Sequence, residues 1–388
     1  MIRHRGVLTG SSYLSMFFLG VGTAVIGAAS GSIGHTPYQT ALLITVQNLG
    51  FIVSVLASGA LADSSDKARL MAAGSLLLAL SFFLYYLWPA YSVNLLIMLF
   101  IGVGIGTYEG VADAMLLGIH ARRQGLHISV NHFFVTFGAL GITLYLVFLQ
   151  LDWRRSMVQS ALVVCALAVV FFFSRAGTGG SRGLGIRERA AFLGSQGLLV
   201  VFLLLAVFGV GIELGLTGLL PGFLRELRGY GLVASNVGLV IFLAGIAAGR
   251  LLLGLLTNRV SLLRMVQWLF AAATVFSAVL FFIPLPRGWT AAALVLSGMG
   301  VSSLLPLLIT LTGTLYPEAS GTALGIVKLA VPLGGIVVPF IVSVLSRWGS
   351  FQLALGIFPL LAAAGFVVIT AGGRRIRARV SARTSAGA

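Results

Sequence analysis

Residues 93–118 read VNLLIMLFIGVGIGTYEGVADAMLLG. The stretch is long and apolar enough to cross a hydrocarbon core of about 30 Å, which takes about 20 residues of helix. Two carboxylates, Glu109 and Asp113, nevertheless sit in its second half. A charge in the hydrocarbon zone costs about 2.5–3.5 kcal/mol on insertion scales, so such a side chain faces a cavity or a partner. Glu109 and Asp113 are four residues apart and share one helix face. Two carboxylates this close in a low dielectric do not both ionise readily, which suits a proton carrier.

Eleven further stretches of the same kind flank this one. The predicted spans are 7–29, 38–61, 70–88, 93–118, 129–149, 156–174, 196–220, 233–256, 265–283, 290–315, 322–345 and 352–372. Strict alternation over ten-residue segments is absent, which excludes a β-barrel. The composition agrees: 59% of residues are hydrophobic and only 9% charged, against about 25% charged in a soluble domain. Fifty glycines fit membrane helices, where Gly is commoner than in soluble ones. The expected fold is all-α, with twelve transmembrane helices in two six-helix bundles. The first span is too long for a signal-peptide core of about 7–15 residues. Cys165 is the only cysteine, so no intramolecular disulfide forms.

The net charge of +16 would suggest a nucleic-acid partner in a soluble chain. Here the arginines cluster in the short connections, where they orient spans, and no nucleic-acid partner is expected. With both termini cytoplasmic, most basic residues fall inside. The outer segments hold only Arg154, Arg155, Arg225, Arg228, Arg287 and Arg347. A multi-pass protein of the plasma (inner) membrane is expected. The one long connection, 175–194, is Gly-rich and basic and reads as a linker. It separates an N-terminal half (1–174) from a C-terminal half (195–373), followed by a basic tail (374–388).

The halves repeat at an offset of 195–196: Gly50 matches Gly245, Gly59 Gly254, Gly102 Gly298, Gly104 Gly300 and Gly138 Gly334. Parallel six-helix repeats are a transporter architecture, with the solute site near the midplane. In this register His132 aligns with Lys328, whereas Glu109 and Asp113 meet Leu305 and Ile309. The asymmetry assigns protons to the first half (Glu109, Asp113, His132) and solute to the second (Glu213, Lys328). Lys328 is expected to meet solute or Glu213. Asn131 beside His132, and Gln47 or Asn48 in span two, complete the solute-binding candidates; the latter two point about 100° apart, so at most one lines a pore. Arg250, near the cytoplasmic end of span eight, and Asp63, where span two meets water, read as gating or structural groups. Arg250 can snorkel to the interface or bind acidic loop groups.

Gly102-Val-Gly104-Ile-Gly106 imitates a dinucleotide fingerprint, but it lies inside a span and lacks the third glycine at the right spacing. The sequence shows no metal cluster, P-loop or nucleophile–base set. No cofactor, no metal and no enzymatic activity are expected, and an ion gradient is the expected drive.

GALADSSDKARL (59–70) resembles the loop between the second and third helices of the major facilitator superfamily, where Gly-x-x-x-Asp precedes basic residues. Ser64 and Asp66 stand where Arg and Gly are usual, and the second-half copy, Gly254-Leu-Leu-Thr-Asn258-Arg259, has Asn for the acid. Glu109-Gly-Val-Ala-Asp113, Asn131-His132-Phe133-Phe134, Phe137-Gly138-Ala139, Gly209-Val-Gly211-Ile-Glu213, Gly249-Arg250 and Pro306 are similar to the fucose permease-like branch of proton symporters. That resemblance implies proton coupling and sugar binding at Glu109. Span one carries no carboxylate.

The expected function is secondary active transport of a small polar solute, such as a sugar, by alternating access and proton symport. The partners are then solute, protons and the lipid bilayer, and a monomer is expected. The alternatives are a proton-driven drug or metabolite efflux antiporter and a non-transporting membrane receptor or assembly component.

Overall fold

The computed structural model describes residues 4–34, 37–148, 152–177 and 196–386. The linker expected at 175–194 lies mostly outside the described residues. All regular structure among the described residues is helical, and twelve helical segments are long and apolar enough to cross a membrane.

The chain forms two compact units. The first comprises Met1–Gln124, Asn131–Phe192 and Tyr316–Lys328; the second comprises Gly125–Val130, Leu193–Leu315 and Leu329–Ala388. In the first unit α1 (Arg5–Ile33), α2 (Pro37–Ala62), α3 (Lys67–Leu84), α4 (Tyr91–Ile119), α5 (Gln124–Thr143) and α6 (Trp153–Phe172) are the first six spans; a π-turn, Leu144–Phe148, extends α5. The second unit holds α7 (Gly197–Glu226), α8 (Leu232–Leu256), α9 (Leu262–Phe282), α10 (Arg287–Ser302) and α11 (Leu304–Leu315). Span eleven is broken: α12 (Ser320–Lys328) belongs to the first unit, and α13 (Ala330–Trp348) to the second. A short turn of helix, α14 (Phe351–Ala354), precedes α15 (Ile357–Ala386).

The repeated glycines make matching contacts inside each unit. A methyl on Gly102 would lie 2.0 Å from the Gln47 carbonyl oxygen on α2, and one on Gly298 would lie 2.3 Å from the Phe242 carbonyl oxygen on α8. Gly138 meets Phe17 of α1 as Gly334 meets Gly211 of α7. The glycines of the false dinucleotide motif therefore serve backbone-to-backbone packing, which in lipid replaces the hydrophobic drive between helices. Gly102→Ala should force α2 and α4 apart. The expected cost is about 1–3 kcal/mol, read as a lower unfolding midpoint of the purified protein in detergent.

The α12 helix is pinned at its N-terminus. Asp63, at the end of α2, is buried and accepts hydrogen bonds from the Gly321 and Thr322 main-chain N–H groups (2.7 and 2.9 Å) and from Thr322 Oγ1 (2.6 Å). The expectation that Asp63 meets water is therefore corrected. The unpaired N–H groups of a helix start carry positive charge and draw in a carboxylate. Lys328 lies at the other end of the same helix, where a cation complements the dipole.

Candidate functional site

The first unit contains a buried cluster built by three helices. One turn apart on α4, Glu109 and Asp113 present carboxylates; α5 supplies Asn131 and His132, and α12 supplies Lys328. Asp113 and Lys328 are 0% exposed, and Glu109 and His132 each 3%.

Asp113 accepts from three side-chain donors. Its Oδ1 receives the Asn131 side-chain amide (2.7 Å), and its Oδ2 receives His132 Nε2 (2.9 Å) and Lys328 Nζ (2.6 Å). An ionised carboxylate only accepts, so the His132 proton facing it sits on Nε2. Ser12 of α1 donates to Asn131 Oδ1 (3.2 Å) and orients that amide toward Asp113. The sequence reading missed Ser12, since a serine in an apolar span most often bonds its own helix and nothing local marks this one.

Glu109 is held differently. Its Oε1 lies 3.2 Å from Lys328 Nζ but has no hydrogen bond of good geometry, although it is buried. Lys328 also donates to the Glu109 main-chain carbonyl. Two carboxylates face one ammonium, so the cluster carries one net negative charge when His132 is neutral. One added proton makes it neutral.

Glu109, Asp113 and His132 offer ligand atoms within 4.8 Å of one another, a spacing that no sequence pattern displayed. Here the cation among the carboxylates is the Lys328 ammonium itself.

Of the two partners expected for Lys328, solute or Glu213, the second is engaged elsewhere. Glu213 belongs to a separate ion pair in the second unit, with its Oε1 2.7 Å from an Arg250 terminal nitrogen. Arg250 Nε donates to the Ser302 carbonyl at 2.9 Å, where α10 ends and the span is interrupted. Arg250 is 4% exposed, so it does not snorkel to an interface. It satisfies a carbonyl that the helix break leaves open.

Gln47 is buried and donates to the Gly22 carbonyl (2.7 Å), tying α2 to α1. Its neighbour Asn48 is half-exposed.

The sequence profile of the Major Facilitator Superfamily matches residues 7–318. The chain belongs to this superfamily. Major facilitator proteins are transporters rather than enzymes, and alternating access is general to their fold. Among solved structures, the chain is similar to a variant of the E. coli fucose:proton symporter FucP: 17% identity, 94% of this chain and 97% of that one covered, TM-score 0.77. It is also similar to the proton:xylose symporter XylE bound to a bromodeoxyglucose (14%, 94% and 94%, TM-score 0.73). The human organic anion transporter MFSD10 matches as well (13%, 95% and 100%, TM-score 0.77). At these identities the likeness shows the shared major facilitator fold. The comparison with curated proteins gives no match.

Proposed function

We propose that this chain couples protons to the movement of a small polar solute, with Glu109 as the proton carrier. The observation that supports this reading is the division of labour within the cluster. Asp113 has three donors and is a fixed anion, whereas buried Glu109 Oε1 lacks a well-formed hydrogen bond. A proton on Glu109 removes the one uncompensated charge of the cluster. In a low dielectric that change of charge is a large bias between two conformations. His132, against Asp113, is placed to pass the proton on.

Sugars are the solute class to test first, following the names of FucP and XylE. Purified protein in proteoliposomes, loaded at one pH and diluted into another, should accumulate a polar solute only under a proton gradient. Solute flux of equal size with and without the gradient would reject proton coupling, and absence of flux for all polar solutes would favour a receptor. A second reading, exchange of solute against protons, draws on the same charge count: a single negative charge is neutralised in turn by a proton and by a cationic solute.

We infer from the same reading a monomer in the plasma membrane, built of two six-helix halves (1–174 and 195–373) joined by a cytoplasmic linker. The uneven spread of arginines supports cytoplasmic termini. Reporter fusions at Met1 and Ala388 should both read inside, and an external C-terminal reporter would show an odd number of spans.

A further inference from the structure

We propose that Lys328 occupies a receptor for primary ammonium groups, and that the small polar solute carried by this chain bears such a group. The inference rests on the reading of Glu109 and Asp113 as the coupling site and narrows its solute.

An alkylammonium has three N–H donors and no acceptor. Around Lys328 Nζ stand three acceptors: Asp113 Oδ2 at 2.6 Å, Glu109 Oε1 at 3.2 Å and the Glu109 main-chain oxygen. Asp113 Oδ2 and the Glu109 main-chain oxygen are within hydrogen-bond reach, and the Glu109 carboxylate stands beside them as a second counter-charge. The site is closed to bulk solvent, with Asp113 and Lys328 wholly buried. A hydroxyl would supply no charge there, a quaternary ammonium no N–H, and an anion would meet a cluster whose net charge is already negative. The geometry therefore selects a cationic amine over neutral and anionic solutes of the same size.

Lys328 is also placed to leave. It ends α12, and the chain passes at Leu329 into α13 of the second unit. Alternating access moves parts of this fold against each other. A shift carried through Leu329 that draws the lysine out leaves two buried carboxylates without their cation. A proton on Glu109 offsets one charge, and the other calls for a cation that fits the three acceptors. A free primary ammonium does so in the way the lysine does. Lysine and solute would then be alternate occupants of one position, with the lysine returning when the solute departs.

The test uses probe pairs that differ in the ammonium alone. D-glucosamine is compared with D-glucose and N-acetylglucosamine, and n-propylammonium with tetramethylammonium, on the wild-type chain in detergent. The primary amines should bind at least about tenfold more tightly than their partners, the loss expected when charge-assisted hydrogen bonds are removed. At about a hundred times Kd they should raise the unfolding midpoint by roughly 3 °C. In Lys328→Ala, n-propylammonium should give a larger rise than in wild type, because the position is vacant. Should that variant fail to fold, the wild-type pairs decide alone. Equal binding of glucosamine and glucose, tetramethylammonium matching n-propylammonium, or no shift with any amine would each overturn the proposal. Glu109-dependent, proton-driven uptake of a neutral sugar would remove this inference and leave the proposed function standing, whereas solute flux without any proton dependence would remove the latter.

Discussion

Lys328→Met should be among the most damaging single substitutions in this chain. Met matches lysine in length and keeps the packing of α12, so the effect reports on charge. The change leaves Glu109 and Asp113 facing each other without a cation, in a cluster where Asp113 is 0% exposed and Glu109 3%. Removing one partner of a buried ion pair costs about 3–5 kcal/mol, because the remaining charge has lost its solvent and its counter-charge. The unfolding midpoint in detergent should fall accordingly. Lys328→Met combined with Asp113→Asn should recover part of the loss, because the amide returns the cluster to its wild-type net charge of one negative and still accepts from Asn131 or His132. A single variant as stable as wild type would show that Lys328 is not the counter-ion of this pair.

Glu109→Gln carries the second large effect, on coupling rather than stability. Glutamine keeps the size of the side chain and the Glu109 main-chain carbonyl, and it holds the cluster permanently in a state like the protonated one. Uphill accumulation under a proton gradient should drop by at least tenfold, while downhill exchange persists. Ten-fold is about 1.4 kcal/mol of lost drive, a modest demand on a group that carries the coupled charge. Asp113→Asn should differ in kind. Asp113 anchors Asn131, His132 and Lys328 together, so its loss should lower both exchange and thermal stability. Undiminished accumulation by the Glu109→Gln protein would place the proton elsewhere, with His132 the next group to test.

Much of the fold was legible in the chain because its physical cause is local. A stretch such as 93–118 must be a helix in lipid, since every backbone N–H and C=O needs a partner and no water is there to supply one. Twelve such stretches therefore imply twelve spans. The glycine register was legible for a related reason: Gly102 and Gly298 recur where two backbones touch, and no larger residue fits.

Individual site residues were legible only as costs. Glu109, Asp113, His132, Arg250 and Lys328 stood out because charge in an apolar span demands compensation, but sequence spacing does not say by whom. The alignment of His132 with Lys328 singled out two residues that both reach Asp113 Oδ2. It could not show that Lys328 joins the carboxylates of α4 rather than Glu213, or that Glu213 meets Arg250.

Those pairings were decided by tertiary structure. Residue 328 lies more than two hundred positions from Asp113, and the break at Leu329, with α12 held by Asp63 at its other end, carries the lysine into the first unit. Sequence by itself determined that buried charges exist and that a membrane-spanning helical bundle must hold them. Which charges neutralise one another depends on packing between distant helices, because in a low dielectric only a partner within a few ångströms and a good hydrogen-bond direction offset the cost of desolvation.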